Sequence, residues 1–348
     1  MNNEPIHVLS VLDLNDEQLE RVRAVSPRLV VEQRPLSSNE RFKRPVPERF
    51  AEVLTPDVEI LYTFMAPFEL SLTPKLRWVQ GISAGVDNFY NTPLWRSEIA
   101  LTNASGVHAV QIPEYVLGML LSHAHHFPEI ARAQAEARWP TMGEKRVFAT
   151  RELRGKTLGV LGYGAIGREI ARLASAFGMR VLATKRADKP AAFDGWTQPG
   201  TGDPDGSIPA RFYALSELHE LLPECDMLVL ALPLSEQTRH IIGQAEFALM
   251  RRHAFLVNIG RGPLIDHDAL IAALNEQLIG GAALDVTEPE PLPADSPLWR
   301  MPNVQITPHI SGLSVYYDER AVDLFCENLR RYLHGEPLLN LVQRERGY

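Results

Sequence analysis

Short apolar, β-branched runs alternate with longer stretches of helical periodicity along most of the chain. The runs at 7–12, 29–32, 58–62, 76–80 and 100–102 read as strands, and stretches such as 16–24 read as helices between them. Alternation of this kind predicts parallel sheets with crossover helices. The pattern starts again with 157–161, 180–184, 227–232, 255–258, 281–285 and 304–307. Two groups of strands predict two α/β domains.

Between the groups, 112 to about 137 is long enough for one or two helices. Pro113 and Glu114 suit a first turn. After the last strand, Val322, Leu324, Phe325, Leu329 and Leu333 fall roughly on one face of a helix over 315–333. That helix is expected to pack back on the first domain, so the chain crosses between domains twice. Residues 188–210 are different: 23 positions with four Pro, four Gly and four Asp. Such a stretch predicts a long loop where a few residues would suffice. A mobile surface insertion is the plainer expectation, and a cover near a ligand the other.

Length and composition narrow the class. At 348 residues the chain suits two domains with sizeable cores. It is 45% hydrophobic and 22% charged, the balance of a globular protein. Lys and Arg number 35 against 43 Asp and Glu, a net charge of −8. That disfavours nucleic acid as the main partner, which needs a basic footprint. The two cysteines, Cys225 and Cys326, allow no disulfide framework and suit a reducing compartment. The N-terminus lacks a signal-type apolar core, and no apolar stretch approaches the ~20 residues of a membrane helix. A cytoplasmic protein without a membrane partner is expected.

The strongest local motif is Gly162-Tyr163-Gly164-Ala165-Ile166-Gly167. It follows a strand-like run and opens a helical one, the context in which G-x-G-x-x-G signals a dinucleotide site. Gly162 permits the tight turn, Gly164 lets backbone approach a pyrophosphate, and Gly167 lets helix pack on strand. The helix N-terminus then faces the diphosphate. An NAD site usually carries a carboxylate at the end of the next strand, for the ribose 2′-OH. Here that strand ends in Thr184-Lys185-Arg186. A hydroxyl and two cations suit a 2′-phosphate, so NADP(H) is favoured, with NAD(H) possible.

Three further stretches each stand at the carboxyl end of an expected strand, where ligands of open α/β sheets bind. They are 258–262, with Ile259 and Arg261; 281–291, with Asp285, Glu288 and Glu290; and 307–312, with His309. Reduction of a 2-oxo acid needs a fork for the carboxylate, a proton donor for the carbonyl, and a carboxylate to support that donor. An arginine in a glycine-flanked turn is usually just solvated. Three such stretches in step with a dinucleotide loop are a different matter.

From about Trp78 to Asn340 the sequence resembles the D-isomer-specific 2-hydroxyacid dehydrogenases, which include glyoxylate/hydroxypyruvate reductases, D-lactate dehydrogenases and phosphoglycerate dehydrogenases. The resemblance rests on Gln80-Gly81-Ile82-Ser83-Ala84-Gly85-Val86-Asp87, Thr102-Asn103-Ala104, the glycine loop, Leu232-Pro233-Leu234 and the three stretches above. It implies a Rossmann-type doubly wound nucleotide-binding domain, 105–312, inserted into a flavodoxin-like substrate domain, 1–104 plus 313–348. It also implies a catalytic trio: Arg261 to clamp the substrate carboxylate, His309 to exchange the proton, and Glu290 to favour imidazolium. Glu288, by the same resemblance, stands at a variable position. Ala84 and Gly85 would offer backbone N–H groups to the substrate. Tyr163, Gly164, Ala165 and Ile166 would line the diphosphate, with Pro233 on the adenosine side, Ile259 also against the cofactor and Asp285 at the nicotinamide amide. Relatives dimerise through the nucleotide-binding domain, so a homodimer is expected. The substrate side chain would be read by loops around 63–68.

Other features carry less. His123 and His126 lie three apart on the expected helix, but no nearby Cys or carboxylate completes a metal set. A helix surface or subunit contact is expected there, and no metal. Trp139 either caps the substrate cleft or packs between domains. Two rival functions share the same motifs: a dinucleotide-sensing, corepressor-like binding protein, and a dehydrogenase of an inorganic anion such as phosphite.

Overall fold

In the computed structural model, residues 4–36, 52–67 and 69–346 are described, and the chain divides into two compact units. Phe68, at the end of the 63–68 loop, lies outside the described residues. The first unit is Met1–His108, Asp194–Gln198 and Ser314–Tyr348; the second is Ala109–Phe193 and Pro199–Leu313.

The first unit holds strands β1 (Ile6–Ser10), β2 (Leu29–Gln33), β3 (Val58–Thr63), β4 (Trp78–Gly81) and β5 (Ala100–Thr102), paired in parallel in the order β2-β1-β3-β4-β5. This is the flavodoxin order. Helix α1 (Asp16–Arg23) starts at a capping box in which Asn15 accepts from the Gln18 N–H. Buried Trp78, Tyr62 and Phe325 centre the core, with Tyr62 and Phe325 stacked at 4.3 Å. Phe325 comes from the C-terminal helix Tyr317–His334, whose apolar face the sequence had aimed at this sheet.

The second unit carries seven parallel strands: β6 (Thr157–Leu161), β7 (Arg180–Thr184), β8 (Arg211–Tyr213), β9 (Met227–Leu230), β10 (Phe255–Asn258), β11 (Gly281–Leu284) and β12 (Val304–Ile306). Their order is β12-β11-β10-β9-β6-β7-β8. The interior strands β6, β9, β10 and β11 are buried throughout, because apolar layers cover both faces of the sheet. The order reverses between β6 and β9, which makes the carboxyl end of β6 the topological switch point.

The helical stretch after residue 111 is two helices, as the length allowed: α2 (Gln111–Ala124) and α3 (Phe127–Ala135), broken where His126 takes a left-handed φ of 57°. Two local expectations change. His123 is half-buried and does not stand free on the helix surface; it stacks on Phe255 at 4.0 Å, and burial pushes its imidazole down to about 4. The 188–210 stretch is not a loose surface loop. Asp194–Gln198 groups with the first unit, although the family resemblance implied one domain over all of 105–312. There Trp196 packs on the core, and its carbonyl closes on Gly106 so tightly that a Cβ would meet it at 2.0 Å.

Among the described residues no helix is long and apolar enough to cross a membrane.

Candidate active site

A single register row crosses the whole second sheet. Tyr213 pairs with Thr184, Thr184 with Leu161, Leu161 with Leu230, Leu230 with Asn258, Asn258 with Leu284, and Leu284 with Ile306. Each stretch singled out in this unit begins just past that row: the glycine loop, Lys185 and Arg186, Pro233, Ile259 to Arg261, Asp285 to Glu290, and Thr307 to His309. The parallel register therefore delivers all of them to one edge, on strands about 4.8 Å apart.

At the switch point the glycine loop leads into α4 (Ala165–Ala176), whose N-cap Gly164 makes no side-chain cap bond. Gly162 has φ 102°, and a Cβ there would meet the Ala231 carbonyl at 2.6 Å. A Cβ on Gly167 would strike the Gly162 carbonyl at 2.1 Å. A Cβ on Gly164 would meet nothing within 4 Å, so open space lies over the loop at the helix N-terminus. The residues present fit a dinucleotide diphosphate. Beside the loop, the buried Thr184 hydroxyl accepts the Gly162 N–H at 3.0 Å. It braces the turn, a role beyond the 2′-phosphate contact expected of it from the sequence. Lys185 Nζ donates to the Lys189 carbonyl at 2.8 Å, and Arg186 pairs with Asp188 at 3.2 Å. Pro233 is exposed and Ile259 is buried.

On the other side of the row, His309 Nδ1 lies 2.6 Å from Glu290 Oε1. His309 has a left-handed φ of 55°, unusual for a residue with a Cβ. Its turn is over-determined. The His309 N–H donates to the Asp285 carbonyl at 2.9 Å, and the Asp285 carboxylate accepts the Ile310 and Ser311 N–H groups at 2.9 and 3.0 Å. The same carboxylate accepts the Thr307 hydroxyl at 2.6 Å, which leaves Tyr115 on α2 as donor to Thr307 at 2.7 Å. Burial pushes that phenol up to about 12. Asp285 is buried with both oxygens engaged in holding the histidine turn, a role the sequence did not announce.

Arg261 follows β10, its backbone carbonyl held by Asn258 Nδ2 at 2.9 Å and its own Nη1 on the Gly260 carbonyl at 2.9 Å. Glu288, set aside by the sequence, accepts from Arg239 Nη1 and His240 Nε2, both at 3.0 Å. Burial works against its charge, but those two bonds hold the carboxyl below its usual value. The His240 N–H in turn donates to the Pro263 carbonyl at 2.8 Å. Glu288 thus ties the Glu290 segment to the Arg261 segment. The sequence signal was a second carboxylate two residues from the catalytic one.

Ala84 and Gly85 belong to the first unit, just past β4 and half-buried, with Ser83 Oγ donating to the Gly85 carbonyl at 2.7 Å. Cys225 and Cys326 are buried, and burial raises their thiols to about 12 and about 11, far from a nucleophile's range. Among the described residues no group of three or more His, Cys, Asp or Glu could hold a metal. Trp139 is 85% exposed, with the Lys145 ammonium 5.4 Å from its ring.

The chain is similar to known proteins. The family described as D-isomer specific 2-hydroxyacid dehydrogenase, NAD binding domain, matches residues 117–311. A glyoxylate reductase of Aeropyrum pernix is 36% identical over 282 residues, 79% of each chain. A glyoxylate/hydroxypyruvate reductase B of Klebsiella pneumoniae is 38% identical over 274 residues, 78% of this chain and 80% of that one. The crystal structure of a D-isomer specific 2-hydroxyacid dehydrogenase from Xanthobacter autotrophicus, solved with NADPH and MES, superposes with a TM-score of 0.73 at 29% identity, covering 99% of this chain and all of that one. With its sheet order, its glycine loop and its His309–Glu290 pair, this chain belongs to the D-isomer specific 2-hydroxyacid dehydrogenases, NAD(P)-dependent oxidoreductases of small 2-hydroxy acids.

Proposed function

We propose that this protein reduces small 2-oxo acids, glyoxylate and hydroxypyruvate first among them, and that it prefers NADPH. The observation that carries the chemistry is the 2.6 Å contact between His309 Nδ1 and Glu290 on the edge that also bears Arg261. Glu290 on Nδ1 keeps that nitrogen protonated and leaves Nε2 as the atom that delivers a proton. The dinucleotide, when bound, supplies the hydride. His309 Nε2 gives its proton to the substrate's keto oxygen and is left as neutral imidazole, Nδ1–H still on Glu290; oxidation runs the same transfer backwards. Arg261 offers a planar fork to the substrate carboxylate, and Ala84 and Gly85 are proposed to offer backbone N–H groups to substrate.

The cofactor preference is supported by the end of β7, where no carboxylate stands to meet a ribose 2′-OH and two cations follow. Arg186 pairs with Asp188 on a largely exposed surface. Such pairs are worth little, so a 2′-phosphate can displace Asp188 at small cost. Tyr163 to Ile166 would hold the diphosphate, with Pro233 and Ile259 flanking the cofactor. As assembly we propose a homodimer. In its support, Phe127, Ile130 and Met142 expose apolar side chains around α3. Two unpaired, buried cysteines suit a reducing, cytoplasmic setting.

The test is a panel of 2-oxo acids with NADPH and with NADH, followed by absorbance of the reduced cofactor. Turnover of glyoxylate or hydroxypyruvate with NADPH at higher kcat/KM than with NADH is expected. Failure to turn over any 2-oxo acid with either cofactor overturns the proposal.

A further inference from the structure

The 188–210 insertion starts two residues after the cations assigned to the 2′-phosphate, and it folds onto the dinucleotide loop itself. Three buried polar residues make the clasp. Arg168, in the first turn of α4, donates to the carbonyls of Asp203 at 2.5 Å and Ala191 at 2.6 Å. Its guanidinium lies over the rings of Tyr163 and Phe193, 4.7 and 5.0 Å from their centroids. Asp203 accepts the Tyr163 hydroxyl at 2.5 Å and the N–H groups of Ser207 and Ile208, each at 3.0 Å. Glu169 accepts the Gly202 N–H at 2.6 Å. Tyr163 is the second residue of the glycine loop, so one side chain belongs to both structures.

The base of the insertion is closed as firmly. The Phe193 N–H donates to the Pro204 carbonyl at 2.9 Å, and Gly206 sits so close to Ala191 that a Cβ would meet its carbonyl at 2.4 Å. Lys185 and Arg186 stand immediately before this clasp. The Lys189 N–H donates to the Arg186 carbonyl at 3.2 Å, and Lys185 Nζ donates to the Lys189 carbonyl, so the turn carrying both cations is continuous with Ala191. A long Gly- and Pro-rich segment left unpinned would have to be ordered when the cofactor arrives, which weakens binding.

We infer that the insertion is a specificity element of the cofactor site: by clasping Tyr163 and Arg168 through Asp203, it pre-orders Lys185 and Arg186 for a dinucleotide bearing a 2′-phosphate. This rests on the NADPH preference proposed above and names the part of the chain that enforces it. Asp203 is a positioning residue; it acts through the turn of the two cations.

Isothermal titration calorimetry with NADPH and with NADH tests this on the whole protein, for wild type, Asp203→Ala, and both combined with Lys185→Ala plus Arg186→Ala. Asp203→Ala is expected to weaken NADPH about tenfold, the effect of leaving a pair of long side chains to be ordered on binding, and to leave NADH within about twofold. In the background lacking both cations, the same substitution is expected to add nothing to the NADPH-to-NADH ratio, since coupled residues are non-additive. Asp203→Asn, which keeps the shape, serves if the alanine variant does not fold, with a smaller change of the same sign. Equal weakening of both cofactors, or a tenfold change that persists without the cations, overturns the inference and leaves the NADPH preference standing. A wild-type protein that binds NADH more tightly overturns both.

Discussion

Glu290 Oε1 lies 2.6 Å from His309 Nδ1, while the His309 backbone sits in a left-handed conformation pinned by Asp285. One carboxylate holds the ring and the other holds the turn. The division of labour follows from register, since β11 ends just before Asp285 and β12 just before Thr307, so the two loops leave the sheet as neighbours.

Glu290→Gln keeps a polar partner for Nδ1 but removes the carboxylate that holds the Nδ1 proton and so fixes the tautomer of the ring. Reduction is expected to slow roughly 10- to 100-fold near neutrality, part of the usual contribution of acid–base catalysis. The loss should fall on kcat, with NADPH affinity nearly unchanged. An unchanged kcat would show that Glu290 does not act on His309.

Asp285→Asn tests the turn. An amide NH₂ would face one of the N–H groups of Ile310 or Ser311, leaving a buried donor without an acceptor, a cost of about 1–3 kcal/mol. A lower melting temperature and reduced kcat are expected, with cofactor KM nearly unchanged. A large rise in NADPH KM with kcat and stability intact would return Asp285 to the nicotinamide.

Arg186→Ala removes a charge-assisted contact to a 2′-phosphate, worth about 1.5–3 kcal/mol. The KM for NADPH is expected to rise about 10- to 150-fold, with NADH scarcely changed. Equal effects on both cofactors would place Arg186 outside the site.

Much of this site was legible from residue type and spacing. The glycine loop could be read because close approach leaves no room for a Cβ at Gly162 or Gly167, and only glycine meets that demand. The stretches holding Arg261, Glu290 and His309 could be read because each follows an apolar run that ends at a sheet edge, but only the family resemblance singled out the three residues and separated Glu290 from Glu288. The polar clasps could not. Periodicity reports which face of a helix is apolar, and it assigns Arg168 and Glu169 to the wet face of α4, yet both are buried beneath the insertion. The hold of Asp285 on the histidine turn escaped for a related reason: a carboxylate at a strand end looks the same whether it meets a ligand or a backbone turn.

Asp226 gives the second unit a pH-dependent stability. It joins the start of β9 to the start of β6, accepting the Thr157 N–H at 2.8 Å, with Arg251 at 2.7 Å and His253 at 2.8 Å on its other oxygen. Burial opposes its charge, but these bonds bring its carboxyl from 3.8 down to about 2. A lowered carboxylate stabilises above its unfolded value and loses that contribution as pH falls through the folded one. Stability on the order of 2 kcal/mol is therefore expected to disappear between about pH 4 and pH 2. In chemical denaturation, Asp226→Asn should lower stability at pH 7 and flatten this acid dependence. An unchanged pH dependence would mean another group carries it.

The central claim, that His309 is the proton donor, is tested most directly by His309→Ala in glyoxylate reduction, with NADPH binding measured separately by fluorescence titration. A fall in kcat of about 10²–10⁴ with NADPH affinity within twofold of wild type is expected. A kcat within tenfold of wild type, with cofactor still bound, would contradict it.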